Sequence, residues 1–142
     1  MIFFIDTNIF LRVFIKDNEG QAIYSRQFLN EIKNGNLKAA TSSLVLAEVG
    51  WTLNSFYKYD RLKIAKLLNS IINLSGLTIV DKVDWPVALA HFQTKKIKLI
   101  DSLIASGKQI REKKWVVATY DKDFKKIDTI SLKPEEIIAS YT

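Results

Sequence analysis

Short, continuous apolar runs alternate along this chain with longer stretches of helical periodicity, and that alternation restricts the fold more than any other feature. Ile2-Phe3-Phe4-Ile5, Leu77-Thr78-Ile79-Val80 and Trp115-Val116-Val117-Ala118-Thr119 are β-favouring and lack a regularly alternating polar face, as suits strands covered on both sides of a parallel sheet. Leu37-Lys38-Ala39-Ala40-Thr41 and Ile130-Ser131-Leu132 read as two further short strands. Between the runs, Ile9, Phe10, Val13 and Phe14 recur at helical spacing, with Thr7 or Asn8 placed to cap them. Helices are also expected over about 19–34, ending at Asn34-Gly35-Asn36, and from a Ser42 or Ser43 cap through Tyr57. Others should run from Asp60 to Asn73, onward from Asp84-Trp85-Pro86, and through Asp101 toward Ile110, with a short helical turn over 121–127. Strands alternating with helices predict an α/β fold around a mostly parallel sheet. No linker, repeat or low-complexity tract interrupts the pattern, so residues 1–142 are expected to form one domain.

Composition narrows the chemistry. Apolar residues make up 48% of the 142, enough for a core that needs no covalent staple. The absence of cysteine excludes disulfide scaffolds, zinc ribbons and thiol catalysis. The beginning of the chain lacks a secretory leader, and no run approaches the ~20 apolar residues that span a bilayer, so a cytoplasmic location is expected. Lys and Arg number 21 against 15 Asp and Glu, a net charge of +6, which favours a polyanionic partner without specifying one.

Four acids stand in positions that invite chemistry. Asp6 directly follows the first strand, and Asp121 follows Trp115–Thr119 after Tyr120. Functional groups in open parallel sheets gather outside the C-terminal strand ends, so neighbouring strands here would hang both carboxylates over one edge. Taken singly, each reads equally as a helix cap or turn residue. Glu48 has Leu44, Val45 and Trp51 on adjacent turns, a setting that desolvates a carboxylate unless a cation or donors compensate. A metal ion would serve, and so would a salt bridge or a turn of the side chain toward solvent. Asp101 lies among Ile97, Leu103, Ile104 and Ala105, with small Ala105, Ser106 and Gly107 permitting close helix packing. Metal ligand and helix-start acid are both open readings for it.

Together the four acids imply more than they do singly. Asp6, Glu48, Asp101 and Asp121 in one site would repel one another strongly unless a divalent cation sat among them. An all-oxygen site selects hard ions, Mg²⁺ or Mn²⁺. Such ions suit phosphodiester hydrolysis, where no side-chain nucleophile is needed. That agrees with a single histidine, His91, on a mid-chain helix beside Phe92, where it reads as structural. Thr7, Asn8 and Thr119 are placed to hold the carboxylates by hydrogen bonds; Asp123 is an auxiliary candidate, and Asp81 and Asp84 read as surface or capping residues.

These motifs resemble the PIN domain. Asp6-Thr7-Asn8 after the first strand, Ala47-Glu48-Val49, Asp101-Ser102-Leu103-Ile104-Ala105 and Thr119-Tyr120-Asp121-Lys122-Asp123-Phe124 carry the likeness in order across essentially the whole chain. Length and layout are similar, more narrowly, to VapC-type toxins of toxin–antitoxin pairs. The resemblance implies an α/β/α sandwich and Mg²⁺- or Mn²⁺-dependent endoribonuclease activity. It also implies an acidic quartet at Asp6, Glu48, Asp101 and Asp121, with Asp123 two residues from the fourth position. A homodimer and a small antitoxin whose C-terminal segment covers the site are implied as well. Lys95, Lys96 and Lys98 precede Asp101, while Lys122, Lys125 and Lys126 follow Asp121, so cations are expected to flank the acids and hold RNA phosphates, although each lysine alone also suits a solvated face. Trp51, Phe56 and Tyr57 are expected to pack rather than stack on bases.

Two other classes compete. A phosphoacceptor signalling domain also sets acids at strand ends, but it needs paired acids after the first strand, where Asp6 stands alone. A PIN-like domain that binds RNA without cutting would be expected to lack some of the acids, and all four are present.

Overall fold

In the computed structural model, which describes residues 1–142, five strands form a single all-parallel sheet. They are β1 (Ile2–Ile5), β2 (Lys38–Thr41), β3 (Leu77–Ile79), β4 (Trp115–Ala118) and β5 (Ser131–Leu132), arranged β3-β2-β1-β4-β5. The three innermost strands lose most of their contact with water: Phe3, Ile5, Ala40, Val117 and Ala118 are fully buried.

Eight helices connect and flank them: α1 (Thr7–Ile15), α2 (Glu19–Lys33), α3 (Ser43–Ser55), α4 (Arg61–Ile72), α5 (Trp85–Thr94), α6 (Leu99–Ser106), α7 (Lys108–Arg111) and α8 (Pro134–Tyr141). A 3-10 turn spans Lys122–Lys126. Side-chain caps set most helix starts: Asn18, Ser42, Asp60 and Asp84 each accept a hydrogen bond from a backbone N–H in the first turn, which satisfies donors that the helix cannot. The cap of α1 is Asp6 rather than Thr7 or Asn8, because its carboxylate reaches the N–H of Thr7. Gly107, in an extended conformation, divides the helix expected from Asp101 to Ile110 into α6 and α7. The helix expected through Tyr57 ends at Ser55. Helix α8 was not anticipated, although Pro134 at its start and the Glu136 carboxylate accepting from the Lys133 N–H are local start signals.

The sheet is covered on both faces. Phe3 meets Phe28 of α2 and Tyr141 of α8 edge-on, with ring centroids 6.0 and 5.1 Å away. Helix α1 packs against α2 and α3, and α3 against α4, which extends that layer. Phe4 points to the opposite face, as alternation along a strand requires, where it adjoins Leu103 and Ile104 of α6 and Ile110 of α7. Helix α5 packs on α6 there, and the result is the expected α/β/α sandwich. One turn depends on its glycine: Gly76, with φ +84°, precedes β3 so closely that a Cβ would stand 2.5 Å from the carbonyl oxygen of Ile32.

Candidate active site

The strand order creates a crevice before any side chain is considered. Leaving β1, the chain builds β2 and β3 on one side; β4 and β5 lie on the other. Loops leaving β1 and β4 therefore part at their C-terminal ends, the usual place for a site in a doubly wound sheet. Ile5 pairs with Ala118 in parallel register, and the Asp6 N–H donates to the Ala118 carbonyl at 3.1 Å. Asp6 and the residues after Ala118 thus emerge side by side.

A web of hydrogen bonds holds Asp6. Its Oδ1 accepts from the Thr7 N–H at 2.8 Å, and its Oδ2 accepts from Asn8 Nδ2 at 2.9 Å and Thr119 Oγ1 at 2.7 Å. The Thr119 hydroxyl accepts in turn from Asn8 Nδ2 at 3.0 Å and from the Asp121 N–H at 2.9 Å. Asn8 closes the circuit by accepting from the Tyr120 N–H at 3.0 Å. Thr7, Asn8 and Thr119 therefore tie the ends of β1 and β4 together through one carboxylate; the Thr7 hydroxyl itself is buried without a partner.

The other acids arrive from separate elements. Val45, Val49 and Leu53 bury one stripe of α3, which leaves half-buried Glu48 beside that stripe and facing a cavity of about 470 Å³ shared with Asp6, Asn8, Arg12, Lys98 and Asp121. Asp101 lies in the first turn of α6, where the helix N-terminus favours negative charge. It is only 1% exposed, and its Oδ2 has no hydrogen-bond partner. It is not the cap of α6, since Lys98 occupies that position. Carboxylate oxygens of Asp101, Asp121 and Asp123 all lie within 4.8 Å of one another. Asp121 Oδ1 accepts from the Asp123 N–H at 2.9 Å, and its Oδ2 is 3.6 Å from Lys98 Nζ.

Such crowding shows in the acidities. Burial, reinforced by the charges of Glu48 and Asp121, raises the Asp6 carboxyl from 3.8 to about 6, although the Thr119 and Thr7 hydrogen bonds pull it down. Burial drives Asp101 further, from 3.8 to about 8, with repulsion from Asp6, Asp121 and Glu48 outweighing the attraction of Lys98. Burial alone would lower the Lys98 ammonium, yet Asp101, Glu48, Asp121 and Asp6 together raise it. A buried carboxylate oxygen without a donor, facing several other carboxylates, is the environment that a hard divalent cation neutralises.

The four predicted acids thus converge, joined by Asp123. Of the predicted lysines, Lys98 enters the site, whereas Lys95, Lys96 and Lys122 are exposed and do not line it. Lys125 turns back and donates to the Ser131 carbonyl at 2.7 Å, and Lys126 pairs with Asp123 at 2.9 Å. The sequence did not single out Leu11, Arg12, Thr52 or Tyr120 as cavity residues, nor Trp51 as more than a packing residue. Arg12 follows Asn8 by four positions, a spacing that shares one helix face. Trp51 and Phe56 stand 69% and 74% exposed, which corrects the expectation that they pack; Tyr57 does lie against the core. Tyr120 turns its phenol to Glu135 Oε2 at 2.9 Å, and burial first, then that contact, pushes it above the ordinary tyrosine range. A second cavity of about 450 Å³, walled by Phe4, Leu44, Val80, Trp85, Leu103 and Ile110, holds only Asp81 among the acids, and Asp81 is engaged by the Ser43 N–H and hydroxyl.

Comparison with known proteins gives the same picture. The chain resembles VapBC2 from Rickettsia felis, whose structure was solved bound to a DNA fragment from the promoter: identity is 26%, the TM-score 0.67, and coverage 94% of this chain and 98% of that one. PAE2754 from Pyrobaculum aerophilum is similar in fold at 13% identity, with a TM-score of 0.67 over 98% of this chain and 93% of the other. VapBC-1 from nontypeable Haemophilus influenzae gives 16% identity and a TM-score of 0.65 over 95% and 99%. No curated protein sequence matches the chain. The profile of the PIN domain family matches residues 3–130, and with the site lying where the sheet topology places it, the chain belongs to the PIN domain family.

Proposed function

We propose that this protein is an endoribonuclease dependent on Mg²⁺ or Mn²⁺, and the toxin of a type II toxin–antitoxin pair. One observation carries the chemistry: Asp101, buried and with an unpartnered Oδ2, stands within reach of Asp121 and Asp123 and feels the charges of Asp6 and Glu48. This chain's own cations leave that oxygen unpartnered: Lys98 lies 3.6 Å from Asp121 and Lys126 pairs with Asp123, and neither bonds to Asp101. Asp6, Glu48, Asp101 and Asp121 would hold the ion, with Asp123 as an auxiliary ligand. When bound, a divalent ion would supply a water more acidic than bulk water and positive charge beside the attacked phosphorus.

The remaining work falls to the protein. Thr119, Asn8 and the Thr7 N–H keep both Asp6 oxygens pointed into the notch, so little rearrangement is needed when substrate arrives. Lys98 offers an ammonium held charged by the surrounding acids, and it would draw a phosphate toward carboxylates that otherwise repel it. Exposed Lys95, Lys96 and Lys122 extend that attraction along the RNA. An antitoxin partner is supported by the likeness to two VapBC structures.

The test is cleavage of RNA by the purified protein in Mn²⁺, in EDTA, and after Asp6→Asn or Asp101→Asn. Chelation and each substitution should abolish cutting. Activity indifferent to all three rejects the mechanism.

A further inference from the structure

We propose that Trp51 is a stacking platform for an unpaired base of the substrate, and that Arg12 grips the phosphate next to it. The inference rests on the nuclease reading above and assigns two substrate-binding residues of the same site. Trp51 lies three residues after Glu48 on α3, lines the cavity that holds the acids, and keeps 69% of its surface exposed. An indole so placed adds little to folding, since most of its area stays in water.

Arg12 lines the same cavity. Arg12 stands on α1, which packs against α3, and its guanidinium is oriented by two partners: Nε donates to Gln21 Oε1, and Nη1 pairs with Asp17 at 2.8 Å. Nη2 makes no bond to the protein and remains for an anion. Lys98, the cap of α6, lines the same cavity 3.6 Å from Asp121. A phosphodiester chain that engages both Lys98 and Arg12 in this one cavity would bring one phosphate to the acids and the adjoining nucleotide to Trp51. Only an unpaired nucleotide can offer that indole a base face, because in a duplex both faces are stacked on neighbouring pairs.

The experiment pairs kinetics with fluorescence, using a single-stranded oligoribonucleotide and the same sequence annealed into a duplex. With the wild type, the single strand should be cut in preference to the duplex. Trp51→Ala should raise KM for the single strand roughly five- to hundredfold, the range that loss of one base–aromatic stack produces, with a much smaller change in kcat. Trp51→Phe should keep most of the affinity, and Arg12→Gln should raise KM while lessening its salt dependence. Unchanged KM in Trp51→Ala, or a duplex cut as readily as the single strand, overturns the proposal and leaves the indole as a surface for a protein partner. Should the wild type cut no RNA at all, the nuclease reading fails separately, and tryptophan fluorescence still decides the stacking. Quenching by the oligonucleotide that survives Trp85→Phe but disappears in Trp51→Phe upholds it. Quenching that is absent or survives Trp51→Phe overturns it.

Discussion

Replacing Asp101 with asparagine should make the metal-free protein more stable, and the gain should grow with pH. The folded state holds this carboxyl at about 8 against an ordinary 3.8, so it binds its proton more tightly than the unfolded chain does. Below about pH 4 both states are protonated and nothing is lost; as pH climbs toward 8 the unfolded chain ionises first, and stability falls until it levels off above 8. At about 1.4 kcal/mol for each pH unit the full penalty would be roughly 6 kcal/mol. Water penetration and side-chain relaxation in a solvent-facing notch reduce this to about 2–3 kcal/mol, or roughly 5–10 °C in Tm for a chain of this size. Asparagine keeps the shape and has no charge to bury, so in EDTA the variant should melt at nearly the wild-type temperature near pH 3, where the carboxyl is protonated in both states, and well above it at pH 9. Saturating Mn²⁺ should reverse the order by stabilising the wild type more. A Tm difference independent of pH, or a variant less stable than wild type in EDTA at pH 9, would refute the account.

Three further outcomes follow from particular contacts. Thr119→Val removes the hydrogen bond that lowers the Asp6 carboxyl; since Asp6 must be ionised to hold a cation, the acid limb of the pH–rate profile should move to higher pH. Asn8→Ala opens the link between Asp6, Thr119 and Tyr120, and titration with Mn²⁺ should show affinity or activity reduced roughly 10–100-fold. Gly76→Ala forces a side chain onto φ +84° and to within 2.5 Å of the Ile32 carbonyl; chemical denaturation should show a loss of about 2 kcal/mol or more.

Element types were legible in the sequence because they follow local rules. Ile2–Ile5 and Trp115–Ala118 had to be buried strands, since no face of either could meet water, and Asn18, Ser42, Asp60 and Asp84 satisfy helix N–H groups within one turn of themselves. The acids were visible as candidates for the same reason: Asp6 and Asp121 end strands, while Asp101 sits in an apolar helical run. The start of α8 carries its signals in Pro134 and Glu136, but no long periodic stretch follows them to mark a helix.

Only the tertiary structure decided which candidates meet. Placing β1 between β2 and β4 is a long-range choice among strand pairings, and it alone sets Asp6 beside Thr119 and Asp121, more than a hundred residues away. The docking of α6 likewise determined that Asp101 groups with Asp121 and Asp123, and that of α3 on α1 left Trp51 in the open notch. Periodicity records whether a residue faces its own element's apolar side, which is a property of a few neighbouring residues. Proximity between elements depends on how whole faces pack, and no window of sequence contains that information.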